Sequence, residues 1–176
     1  MLAENSSFKK DRLKNVDIVR VMLVKDVDSS YRMKPIKGPN DVTSVVKKFL
    51  ADEDREIFIA INLDHSLKIN NIHVISVGSL TQTTVHPREV FKAAILSNAS
   101  HIVLAHNHPS GNPDPSDEDR LITSRLIESG RLLGIEVVDH IIVGDGKYSC
   151  LFEYEDKNGK KIHWKTQSFK DDQETN

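Results

Sequence analysis

The run Glu56-Ile-Phe-Ile-Ala-Ile-Asn-Leu63 limits the folds open to this chain more than any other stretch. It is dense in β-branched residues and lacks a polar alternation, so it reads as a buried strand. Such a strand needs cover, and the flanking sequence offers helices. Asn40 or Asp41 is placed to cap a helix from Val42 to Leu50, with Val42, Val45, Val46, Phe49 and Leu50 on one face. His86-Pro87 opens a second helix through Asn98, proline suiting the first helical position. Ser116 caps a third, which runs to about Leu133 and ends at Gly134. Further strands are predicted over residues 17–24, once or twice within Lys68–Leu80, at His101–Ala105, at Ile135–Val143 and at Tyr148–Phe152. Strands and helices alternate without clean βαβ units. The expectation is an α/β chain of the α+β type, a mixed sheet flanked by helices.

The chain has 176 residues, room for one domain with a sizeable core. We expect a polar arm over residues 1–15, the domain over 16–152 and a polar extension over 153–176. Asn158-Gly159 is suited to a small hairpin in that extension, with disorder expected from about Gln167. The net charge is −2 and the single cysteine is Cys150. An intrachain disulfide is thereby excluded, and a strongly basic nucleic-acid footprint is missing. No stretch has the length and apolarity of a membrane span, and the start lacks the apolar core of a signal peptide. These features point to a cytoplasmic protein with no membrane partner.

The chemistry concentrates in residues 106–119, His-Asn-His-Pro-Ser-Gly-Asn-Pro-Asp-Pro-Ser-Asp-Glu-Asp. His106 and His108 follow a strand, and two residues apart on extended backbone they share one face. A Pro/Gly-rich turn leads to a helix whose first turn carries Asp119. Two imidazoles and a carboxylate can bind one Zn2+ and leave its fourth tetrahedral position for water, as a catalytic site requires. Ser116 can cap its helix, or donate its hydroxyl to a developing oxyanion. A hydrolase of this kind also needs a base. Asp114, Asp117 and Glu118 read as solvated acids at a helix start. Glu56 opens an apolar strand, where a carboxylate is costly without a task or a partner.

The spacing His106-Asn-His108-Pro-Ser-Gly, then Ser116 and Asp119, resembles the JAMM signature of the JAB/MPN metalloproteases. Val85-His-Pro-Arg-Glu-Val-Phe-Lys, Asn98-Ala, Gly134-Ile and Asp139-His-Ile-Ile-Val-Gly are similar to the RadC branch, named for DNA repair. The likeness covers roughly Asp41 to Phe152. It implies an MPN, cytidine-deaminase-like fold with a curved mixed sheet. It also implies His106, His108 and Asp119 as zinc ligands, Ser116 as orienter of the tetrahedral intermediate and Glu56 as general base, with Glu53 the nearby competitor. The implied activity is hydrolysis of a peptide or isopeptide bond in a peptide or protein substrate. RadC proteins usually add an N-terminal helix-hairpin-helix region, for which the first 40 residues here are too few and have the wrong glycine pattern. A non-catalytic, zinc-bound interaction module in DNA maintenance or on a mobile element stays open beside the enzyme.

Other residues invite plainer readings. His86 reads as the residue that opens its helix, and His140 as a hydrogen-bonding residue in or near the sheet. Cys150 reads as a small buried residue. Lys157, Lys160, Lys161 and Lys165 near Trp164 read as a solvated tail, with nucleic-acid contact the alternative. The HNH nucleases are excluded, because their name describes residues spread over a ββα-metal unit and not a His-Asn-His tripeptide.

Overall fold

β1 (Ile57–Leu63) is buried at every position, as its composition requires. The computed structural model describes residues 21–24, 36, 39–51, 53–78, 85–153 and 163–169. β1 pairs antiparallel with β2 (Ile69–Val77) on one side and β3 (His101–Asn107) on the other. β3 runs parallel to β4 (Glu136–Gly144), and β5 (Lys147–Glu153) and β6 (His163–Ser168) continue antiparallel. The order β2-β1-β3-β4-β5-β6 makes one mixed sheet. Among the described residues three helices accompany it: α1 (Pro39–Leu50), α2 (Pro87–Leu96) and α3 (Asp117–Leu133). The parallel pair needs a crossover, and α3 supplies it.

Strand alternation sorts the core onto two faces. Phe58, Ala60, Ile102 and Leu104 pack with Val90, Phe91 and Ala94 of α2 and Leu126 and Ile127 of α3. Ile59, Ile61, Leu63, Val103 and Ala105 pack with Val42, Val46 and Leu50 of α1 on the opposite face. That parity positions the site. His106 continues the Ile102/Leu104 row toward α3, and Asn107 continues the Val103/Ala105 row toward α1.

The helices begin and end for local reasons. α1 starts at Pro39 and not at Val42, because proline is itself suited to the first helical turn. Of its expected face, Val42, Val46 and Leu50 are buried, Val45 is half-buried and Phe49 is 40% exposed. His86 caps α2, its Nδ1 accepting the Arg88 N–H at 3.2 Å. Ser116 caps α3, which ends at a left-handed Gly134.

Three expectations fare differently. Of the strand predicted over 17–24, residues 21–24 form no strand and lie exposed, and the rest falls outside the described residues. A strand needs a ladder partner, and among the described residues these four have none. Within Lys68–Leu80 the described residues, which end at Gly78, form one strand, β2. The sheet continues past residue 152, because β6 pairs with β5 and takes in Gln167 and Ser168. Residues 1–15, Lys157, Lys160, Lys161 and the Asn158-Gly159 turn lie outside the described residues. No helix among the described residues is long and apolar enough to cross a membrane.

Candidate metal centre

β3 ends between two histidines. His106 is fully buried against Phe58, their rings stacked at 5.6 Å. His108 lies just past the strand, its N–H donating to the Val143 carbonyl at 2.8 Å. The loop that follows is docked onto the β4–β5 turn. Gly111 adopts φ +82°, and a Cβ there would collide with the Asp145 carboxylate. A Cβ on Gly144 would strike the Gly111 carbonyl, which accepts the Asp145 N–H at 2.9 Å. Glycine at both positions permits this approach. The docked loop aims the start of α3 back at β3.

The first turn of α3 then fixes Asp119. Ser116 Oγ accepts the Asp119 N–H at 3.1 Å, and the Asp119 carboxylate accepts the Ser116 N–H at 2.8 Å. This is a capping box with aspartate in the third position. Ser116 also donates its hydroxyl proton to Asp119 Oδ2 at 2.6 Å. Of the two uses foreseen for Ser116, the cap is therefore present, and its proton is engaged with Asp119.

These elements bring His106, His108 and Asp119 together. His106 Nε2 lies 3.0 Å from His108 Nε2 and 3.1 Å from Asp119 Oδ1, and His108 Nε2 lies 3.4 Å from Asp119 Oδ2. Among the described residues they are the group able to hold a metal ion, and no fourth His, Cys, Asp or Glu joins them. His108 Nδ1 lies 2.8 Å from the Asn112 carbonyl. A carbonyl only accepts, so Nδ1 carries the proton and a neutral His108 turns the Nε2 lone pair inward. Asp119 Oδ1 is buried with no hydrogen-bond donor. Electron-rich atoms this close repel unless positive charge lies among them, as a proton on an imidazole or as a metal cation. The donor set and the orphaned oxygen both fit a cation.

The electrostatics agree. Burial is the largest influence on His106 and His140, and it lowers both below the ordinary imidazole value. His108 is raised, first by its contact with Asp119, with smaller help from the Asn112 carbonyl and the charges of Asp119 and Glu56. For Asp119 burial pushes upward, and opposing contacts, the Ser116 hydroxyl among them, hold its carboxyl below the ordinary value.

Glu56 stands half-buried immediately before β1, whereas Glu53 is exposed. The peptide groups on both sides of Glu56 are gripped by one side chain, that of Asn107. Its Oδ1 accepts the Ile57 N–H at 2.8 Å, and its Nδ2 donates to the Arg55 carbonyl at 2.9 Å and the Glu53 carbonyl at 3.4 Å. The Glu56 carbonyl in turn accepts the Gly78 N–H at 2.8 Å. Holding both flanking peptide planes fixes the direction of the Glu56 side chain from its Cα. The tripeptide thus sends two metal-type ligands to one face of β3 and a backbone clamp to the other.

Sequence reasoning did not find Asn107 or Thr123, and it placed His140 only as a hydrogen-bonding residue. His140 lies on β4, fully buried, with Nε2 2.9 Å from His106 Nδ1 and Nδ1 2.6 Å from Thr123 Oγ1. Two signals were available. Asp139-His140 interrupts an otherwise apolar strand, and Thr123 stands four residues after Asp119, on the same helix face. Of the other acids and histidines, Asp114, Asp117 and Glu118 are exposed, Asp114 accepting the Thr166 hydroxyl at 3.1 Å. His65 and His101 stack on each other at 6.4 Å. Cys150 is buried on β5.

Asp139 has a measurable consequence of its own. Burial pushes its carboxyl up to about 6, against the opposing pull of the Leu151 and His140 N–H groups on Oδ1. Between about pH 4 and pH 6 the folded chain therefore holds a proton that the unfolded chain, near 3.8, has released. This contribution to stability is complete below about pH 4 and is lost as pH rises through about 6. Asp139→Asn keeps an oxygen for both N–H groups and removes the titration. Denaturant titrations should show it more stable than wild type by about 3 kcal/mol at pH 8, with the gap closing toward pH 4. A pH-independent difference would contradict this.

Comparison with known proteins agrees with the geometry. A family model described as the RadC-like JAB domain matches residues 36–158. Similar curated proteins include a UPF0758 protein of Alkaliphilus oremlandii, 51% identical over 119 residues, which are 68% of this chain and 51% of that one. A UPF0758 protein of Moorella thermoacetica is 48% identical over 118 residues (67% of this chain, 52% of its own), and one of Methanosarcina mazei 44% over 118 (67% and 52%). The chain spans about half the length of the curated relatives it matches.

Proposed function

The chain belongs to the RadC-like JAB-domain family, and from that premise we propose that it is a zinc-dependent peptidase or isopeptidase. The observation that carries the reading is the convergence of His106 Nε2, His108 Nε2 and both Asp119 oxygens with no fourth protein ligand among the described residues. Bonds of about 2.0–2.1 Å to a tetrahedral zinc set neighbouring ligand atoms roughly 3.3 Å apart. His106 Nε2 stands near that separation from both His108 Nε2, at 3.0 Å, and Asp119 Oδ1, at 3.1 Å, while the 3.4 Å contact of His108 Nε2 is with the other carboxylate oxygen, Oδ2. Zinc held there would acidify a water at the open position and polarise the scissile carbonyl.

The chain's own residues supply the rest. Glu56 takes the water's proton and delivers it to the leaving amine, the work of a general base that then serves as acid. Half-burial, a fixed backbone and an electrostatic influence on His108 favour it over exposed Glu53. Ser116 serves the oxyanion by turning its hydroxyl proton away from Asp119 Oδ2. His106 and His108 stay fixed by their outer hydrogen bonds while charge develops.

The test compares zinc-loaded and chelator-stripped protein on a pool of peptides that includes lysine-linked isopeptides, with new termini read by mass spectrometry. The reading expects products from the loaded sample alone, restored when zinc is returned. Full zinc occupancy without any product would favour a metal-bound interaction module instead.

A further inference from the structure

We infer that Thr123 and His140 form an outer relay that locks His106 in its Nδ1–H tautomer and thereby sets how tightly the site holds a cation. The inference deepens the metal-centre reading and rests on it.

The direction of the relay follows from its far end. The main-chain carbonyl of Asp119 can only accept, and Thr123 Oγ1 lies 2.5 Å from it, so the hydroxyl proton points there. A hydroxyl has one proton. At the 2.6 Å contact with His140 Nδ1 the same oxygen must therefore accept, which puts a proton on Nδ1. A neutral imidazole protonated at Nδ1 carries a lone pair on Nε2. That lone pair, 2.9 Å from His106 Nδ1, makes His106 the donor. His106 Nε2 is left unprotonated, and it is the atom that faces Asp119 and His108. Reversing any bond among neutral groups sets two lone pairs, or two protons, against each other.

The relay is sealed from solvent. Thr123, His140 and His106 are each at 0% exposure, so bulk water does not reach them to replace a lost partner. Phe58 packs on both rings, at 5.6 Å from His106 and 5.5 Å from His140, and holds their orientation. Thr123 also lies one helical turn after Asp119. The relay consequently runs from one ligand's ring to the main chain of another, tying β3, β4 and α3 into a closed loop around the site. Thr123 and His140 are positioning residues in this scheme and touch no substrate.

Two measurements test it. In the metal-free wild type, two-bond 15N–1H spectra should show His106 and His140 protonated at Nδ1 and bare at Nε2; His106 protonated at Nε2 instead would overturn the relay. Zinc affinity by competition with a chromophoric chelator should fall about tenfold or more in Thr123→Val, in line with other outer partners of metal ligands. Thr123→Ser, which restores the hydroxyl, should recover wild-type affinity. A folded Thr123→Val binding zinc as tightly as wild type contradicts the inference. If Thr123→Val does not fold, the tautomer spectrum decides. A wild type that binds no zinc overturns the metalloenzyme reading, and the spectrum still judges the relay separately.

Discussion

Asp119→Asn should lose zinc affinity by more than about 100-fold, or roughly 3 kcal/mol, while the protein stays folded. Outer partners of metal ligands are typically worth about 10–100-fold, and removal of a charged ligand has to exceed that. The substitution keeps the shape, and the amide oxygen can still accept the Ser116 N–H that closes the cap of α3. It removes the negative charge that two inward-facing imidazole nitrogens and a cation share. Chelator competition and metal analysis check the result. Unchanged zinc content would mean that the cation sits elsewhere.

Glu56→Gln should have the opposite profile. Zinc content stays at the wild-type level, and turnover on any peptide found in the cleavage screen falls by about 10²–10⁴-fold, the usual worth of a general base. The substitution keeps the size of a side chain whose backbone Asn107 and Gly78 hold on both sides. KM should change little, because the glutamate acts on the proton and not on the bulk of the substrate. Undiminished turnover would remove Glu56 from the mechanism and make Glu53 the residue to examine.

What could be read from the chain, and what could not, divides along sequence distance. β1 was legible because seven consecutive buried residues leave their mark in composition. The triad of His106, His108 and Asp119 was legible because strand parity and the first turn of a helix are local rules, and the three fall within fourteen residues. Ser116 and Gly134 announced the limits of α3 for the same reason. β6 was not foreseen as part of the sheet. Its His-Trp-Lys-Thr-Gln-Ser is an edge strand with Lys165 and Thr166 exposed, so no apolar alternation marks it. The relay was hidden because Thr123, His140 and His106 meet only when α3 crosses over and β4 pairs in parallel with β3. The clamp on Glu56 was hidden likewise. Asn107 follows the end of its pairing with β1, and its reach to Arg55 and Ile57 exists only in that antiparallel register.

The central claim, a three-ligand metal centre with an open corner, is tested most directly by anomalous diffraction at the zinc edge from a crystal grown with zinc. The account predicts one peak, bonded to His106 Nε2, His108 Nε2 and the Asp119 carboxylate, with solvent in the fourth position. A peak closed by a fourth protein ligand, or no peak among these three side chains, would contradict it.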